Sequence, residues 1–150
     1  MSVPVRKRSL SSLEFYNTAV IIYKDIVSIL DKLPRKLVDP TNHEVDRTYL
    51  IDFYQKAFLK TYEDMMLNID LANEIFISDK TAAQFRNKRL SYQDTAIAMC
   101  THLETLVELL TMNFPKIIGE LGVLSQNLEF ELSLLKGWKE YTKKKRKVLD

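Results

Sequence analysis

A chain of 150 residues, 46% apolar and 28% charged with a net charge of +2, has the composition of one folded domain, not of a disordered or fibrous chain. No apolar run approaches the roughly 20 residues of a membrane span, and a single cysteine, Cys100, excludes an internal disulfide and suits a reducing compartment. No signal-peptide core follows the opening MSVPVRKRSL, so a cytoplasmic location without a membrane partner is expected.

Three glycines and four prolines leave long stretches free of helix breakers. Residues 1–10 read as a basic arm. Ser11-Ser12-Leu13-Glu14 then reads as a capping box opening a first helix. Its apolar residues form two adjacent seams, one at Leu13, Tyr16, Val20, Tyr23, Val27 and Leu30. The other, at Phe15, Ala19, Ile22, Ile26, Ile29 and Leu33, predicts a face wider than one neighbour needs. Leu33-Pro34 ends the helix, because the residue before proline is pushed out of the α region. Residues 35–46 read as a connecting loop turning at Asp39-Pro40, and no segment has a strand period.

The second helix is predicted from Leu50, Phe53, Ala57 or Phe58, Tyr62, Met65, Ile69, Ala72 and Phe76. Ser78-Asp79-Lys80 is the one plausible break before a third, with Ser78 or Asp79 as N-cap. The alternative is a single rod running through both helices. The third helix shows Phe85, Tyr92, Ala96, Met99, Leu103, Leu106 and Leu110, and stops at Asn113-Phe114-Pro115. Pro115 suits the first turn of a fourth, which reads Ile117, Leu121, Leu124, Leu128, Leu132, Leu135 and Trp138. Gly119 and Gly122 share a face there that would let another helix approach closely. The expected fold is all-α: an antiparallel up-down-up-down four-helix bundle over residues 11–141, with 142–150 as a basic tail.

Charge is distributed unevenly. Arg6, Lys7 and Arg8 lie near the start, and Lys143, Lys144, Lys145, Arg146 and Lys147 run consecutively near the end. Residues 9–142 hold 14 basic and 19 acidic side chains, so the body is mildly acidic. In the expected topology both arms emerge at one pole. The KKKRK run has three readings: a phosphate contact whose affinity depends on salt, a nuclear-import pattern, and a solubilising tail. Arg86 and Arg89, with Lys88 and Tyr92 beside them, are either ordinary surface or secondary phosphate contacts.

Catalysis is not expected. No Glu has a His three residues on, His43 and His102 lack companions at metal-ligand spacing, and Glu104 and Glu108 read as one solvated face. Cys100 reads as packing, and Gly119-Glu120-Leu121-Gly122 lacks the lysine of a phosphate loop. Tyr54, Tyr62 and Tyr92 lie at or beside stripe positions and read as core or interface. No metal, cofactor or small-molecule substrate is expected.

Several segments together resemble the four-helix-bundle family that contains ribosomal intervening-sequence proteins and the accessory variability determinants of diversity-generating retroelements. LEFYNTAVIIYKDI (13–26) resembles its first helix, MLNIDLANEIF (66–76) the end of its second, and FRNKRLSYQDTAIAMCTHLETLVELL (85–110) its third. LSLLKGW (132–138) is similar to its closing Leu-x-Gly-Gly-Trp-like signature, with Lys136 at the first glycine position and Gly137 and Trp138 matching. The resemblance implies a non-catalytic, ring-forming protein, a pentamer. Such a protein binds nucleic acid and partners a reverse transcriptase during mutagenic copying of a template RNA. It makes Phe15, Ala19, Ile22, Ile26 and Ile29 the candidate oligomer interface, and the acidic body moves the expected RNA contact to the basic arms. The rival reading is a protein–protein scaffold or an intervening-sequence-type bundle without direct RNA contact.

Overall fold

A computed structural model describes residues 13–78 and 80–148, with side chains described as far as Lys144. Four helices carry the fold: α1 (Glu14–Lys32), α2 (Thr48–Asn73), α3 (Ala83–Asn113) and α4 (Ile118–Val148). Contacts that join the start of one helix to the end of another make α1 antiparallel to α4 and α2 antiparallel to α3. Phe15, at the start of α1, stacks on Trp138 near the end of α4, with ring centroids 4.3 Å apart. Lys32, at the end of α1, pairs with Glu120 at the start of α4. At that same pole Asn113, ending α3, donates to the Tyr54 hydroxyl on α2 across 2.6 Å.

The helix boundaries follow from local chemistry. Leu33 is extended before Pro34 and caps α1, as its sequence predicts. The N-cap of α1 is Leu13 with no side-chain cap bond, so the start does not rest on the expected box; Ser11 and Ser12 lie outside the described residues. Pro115 opens a single 3-10 turn, Pro115–Ile117, that redirects the chain from α3 into α4. The turn between α2 and α3 rules out the single rod. There Ser78 N–H donates to Thr81 Oγ1 and Thr81 N–H to the Ser78 carbonyl, and α3 begins only after Ala82. The expected N-cap at Ser78 or Asp79 is therefore several residues early; Asp79 itself lies outside the described residues.

Residues 36–46, expected as plain loop, contain a small hairpin: β1 (Lys36–Val38) pairs antiparallel with β2 (Glu44–Asp46). Asp39 holds its turn. The carboxylate accepts from Thr41 N–H, Thr41 Oγ1 and His43 N–H at 2.7–2.9 Å, and these bonds hold its pKa below the usual value. Asn42 takes φ 65°, a left-handed conformation that asparagine tolerates better than most residues. Strands this short alternate over too few residues for a strand period to register.

The core is apolar through most of its length, with Ile22, Ile26, Phe58, Met65, Ile69, Leu103, Leu110, Leu124 and Leu128 among its buried members. Its packing is uneven. The α2–α3 and α3–α4 seams are extensive and α1 packs well on α4, but α1 touches α2 only sparsely. The Tyr62 hydroxyl bridges that gap by donating to the Ala19 carbonyl across 2.8 Å, and its ring sits 5.4 Å from that of Tyr23.

Two expectations about surfaces are corrected. Phe15, Ala19, Ile22, Ile26 and Ile29, expected to face another subunit, are all buried within the single chain. They form α1's contact with its own bundle and are not a free interface. The partly exposed seam is the other one, where Tyr23 meets α2 beside exposed Leu59 and Leu67. Gly119 and Gly122 face open space, so among the described residues no helix approaches them.

Candidate nucleic-acid interface

The pole formed by the start of α1, the α2–α3 turn and the end of α4 carries Lys80, Lys88, Lys143 and Lys144 among its described side chains. Its frame is a buried polar cluster. Arg89, on α3, donates through Nε to Thr142 Oγ1 at 3.2 Å and through a terminal nitrogen to the Ile75 carbonyl at 2.7 Å. Its guanidinium also lies 5.1 Å from the centre of the Trp138 ring. Gln93 donates to the same Thr142 hydroxyl at 3.0 Å, and that hydroxyl donates back to the Trp138 carbonyl. Desolvation lowers the Arg89 pKa to about 10, which leaves it charged at neutral pH. Together these bonds tie the α2–α3 turn to the last turns of α4.

This corrects the assignment of Arg86 and Arg89 to phosphate contact. Both are buried, and Arg86 donates to the Thr81 carbonyl. A guanidinium engaged by carbonyls inside the fold is not free to meet a solvated polyanion. The expected bundle boundary at residue 141 also moves outward. Thr142 is 0% exposed and belongs to the core, and α4 continues as helix through the KKKRK run to Val148.

The surface of the pole is different in kind. Lys80 and Lys88 line a shallow cleft of about 610 Å³ between the α2–α3 turn and the first turns of α3, together with Phe76, Phe85 and Glu74. Phe85 is 50% exposed and Phe76 is partly so. On α4, Lys143 pairs loosely with Glu140 at 3.5 Å and Lys144 is exposed. Among the described residues, Lys80, Lys88 and Lys144 make no ion pair. Arg6, Lys7 and Arg8 lie outside the described residues, as do the side chains of Lys145, Arg146 and Lys147, whose backbone is helical. The described cations and aromatics suit an anion that also offers flat apolar faces.

Burial beside Leu128, whose carbonyl its thiol meets at 3.6 Å, pushes the Cys100 pKa up to about 12, so no accessible thiolate forms at neutral pH. His43 accompanies Asp39 in the exposed hairpin turn, and Tyr54 is core. Among the described residues no three His, Cys, Asp or Glu side chains gather where a metal would sit. No described helix is long and apolar enough to cross a membrane.

Sequence reasoning missed the polar members of the stripes, although spacing carried them. Arg86, Arg89, Gln93, Ala96, Cys100 and Leu103 alternate steps of three and four, as do Leu124, Leu128, Glu131, Leu135, Trp138 and Thr142. Extending each stripe by step length, and not by hydrophobicity, would have found them.

No family model, no curated protein and no solved structure matches this chain.

Proposed function

We propose that this protein is a non-catalytic accessory that binds nucleic acid at its basic pole, preferring single strands. The observation that carries the reading is the pairing, at one pole, of the α4 cationic run with a cleft that sets Lys80 and Lys88 beside exposed Phe85. Lysines neutralise phosphates without reading sequence, and an exposed aromatic ring stacks on an unpaired base of any identity. A mildly acidic body away from that pole would confine the strand to it.

The family resemblance supplies the partner in this proposal: a reverse transcriptase copying a template RNA. The implied pentameric ring is not part of this proposal, because the seam expected to close it is core in a single chain. The test is binding of a single-stranded RNA at low salt. Replacing Lys143, Lys144, Lys145, Arg146 and Lys147 with glutamine should weaken binding at least tenfold while leaving the helical circular dichroism unchanged. Unchanged affinity would refute the assignment.

A second reading, a protein-binding scaffold, is favoured by one observation. The sparse α1–α2 seam leaves Tyr23, Leu59 and Leu67 exposed around a crevice. Absence of RNA binding at low salt, with loss of partner capture by a Leu67→Asp variant, would support it over the first.

A further inference from the structure

The pole opposite the basic one holds a cleft that the nucleic-acid reading does not use. The β1–β2 hairpin folds over the junction between α3 and α4 and encloses about 560 Å³, within the range of small-molecule sites. Its wall is apolar where Leu37, Phe114 and Ile117 meet, and Met112 stands at its edge, 76% exposed. Three cations, Lys36, Arg47 and Lys116, line the same space.

The charges are not balanced internally. Lys36 pairs with Glu44 across 3.8 Å. Asp39 also lines the cleft, but its carboxylate is engaged by three donors of its own turn. Among the described residues, Arg47 and Lys116 make no ion pair, and the Arg47 Nε is buried without a hydrogen-bond partner. That Nε is shut off from the cleft by protein, so what Arg47 offers a ligand is the terminal nitrogens of its half-buried guanidinium, which no carboxylate of the described residues engages.

We propose that this cleft binds an amphipathic monoanion, a carboxylate carried on a short apolar chain. The head group would meet Arg47 and Lys116, and the chain would lie against Leu37, Phe114 and Ile117. An arginine fork matches a carboxylate in geometry and charge. The fixed negative charge of Asp39 in the same cleft disfavours a dianionic head such as a phosphate monoester.

Calorimetric titration of the full chain with octanoate, octanol and octyl phosphate tests this. Octanoate should bind saturably and raise the melting temperature, octanol should bind at least tenfold more weakly, and octyl phosphate should not outcompete octanoate. Arg47→Gln and Lys116→Gln should each weaken octanoate binding by about tenfold, the size expected for one charge-assisted hydrogen bond. Lys116 is exposed on a surface turn, so its variant separates lost recognition from lost folding. Three results would each overturn the proposal: no octanoate binding at millimolar concentration, equal binding of octanol, or wild-type affinity in the Lys116→Gln variant. Tighter binding of octyl phosphate would overturn the choice of head group.

Discussion

Arg89 and Glu131 are both charged residues on core stripes, and the fold treats them in opposite ways. Arg89 has two hydrogen-bond acceptors and an aromatic ring, whereas Glu131 is 0% exposed and neither carboxyl oxygen has a hydrogen-bond partner. Desolvation accordingly raises the Glu131 pKa to about 8. The ionisable groups that sense its charge are the Tyr62 phenol from α2 and the Cys100 thiol from α3; neither bonds to it. Between about pH 4.5 and pH 8 the native protein keeps a proton that the unfolded chain has released. Stability from this group is therefore complete below pH 4.5 and falls as pH rises to about 8, by on the order of 5 kcal/mol in all. Urea unfolding of Glu131→Gln should show a higher midpoint than wild type at pH 8 and a flatter dependence on pH; parallel curves for the two proteins would contradict this. Arg89→Met should lose about 3 kcal/mol, because the Ile75 carbonyl and the Thr142 hydroxyl lose a charged donor. A change below about 0.5 kcal/mol in urea melts would mean that Arg89 is not structural. Neither residue was legible from hydrophobicity, since both are polar letters at positions where only the step of three and four marks the core.

Helices were the more legible scale. The proline stops at Leu33-Pro34 and Phe114-Pro115 mark real ends, because a missing N–H and a restricted neighbour act locally and need no tertiary information. The starts of α1 and α3 were read less well, since neither has the side-chain cap that a capping signal presumes. Stripe register slipped by one only at the starts of α2 and α3, where large aromatics drew the reading outward; from Met65 and Ala96 onward Ile69, Ala72, Leu103, Leu106 and Leu110 are buried as expected. Phe53 and Phe85 are exposed while Tyr54 and Arg86 are buried. The glycines of α4 make a clean test at this scale. A Cβ added at Gly137 or Gly122 meets nothing, and both sit in helix with no positive φ. Gly122→Ala and Gly137→Ala should each stabilise the protein by about 0.5–1 kcal/mol. Thermal melts showing a loss at either site would indicate that a partner approaches that face. The opposite sign is expected at the thin α1–α2 seam. Tyr62→Phe removes the bond to the Ala19 carbonyl and should cost about 1 kcal/mol.

At the scale of the whole molecule, the bundle was legible because breakers are few and apolar periodicity is sustained. The hairpin was not, because three-residue strands leave no period. Of the candidate site, the described part of the cationic run lies at the pole where α1 begins, as Phe15 on Trp138 requires. The cleft beside it was invisible, since it depends on how the α2–α3 turn folds against the start of α3. The seam assigned to neighbouring subunits was misjudged for a related reason. A wide apolar face on α1 was read as excess, but within one bundle it serves as α1's packing surface. Binding of a single-stranded RNA to the basic pole is the central claim, and its salt dependence is the most direct measurement of it. Plotted as the logarithm of the association constant against the logarithm of salt concentration, each phosphate-neutralising cation contributes up to about 0.7 to a negative slope. The account predicts that glutamine at 143–147 makes this slope shallower, and that Phe85→Ala weakens binding while leaving the slope unchanged. A slope that stays the same after the five cations are removed would contradict it.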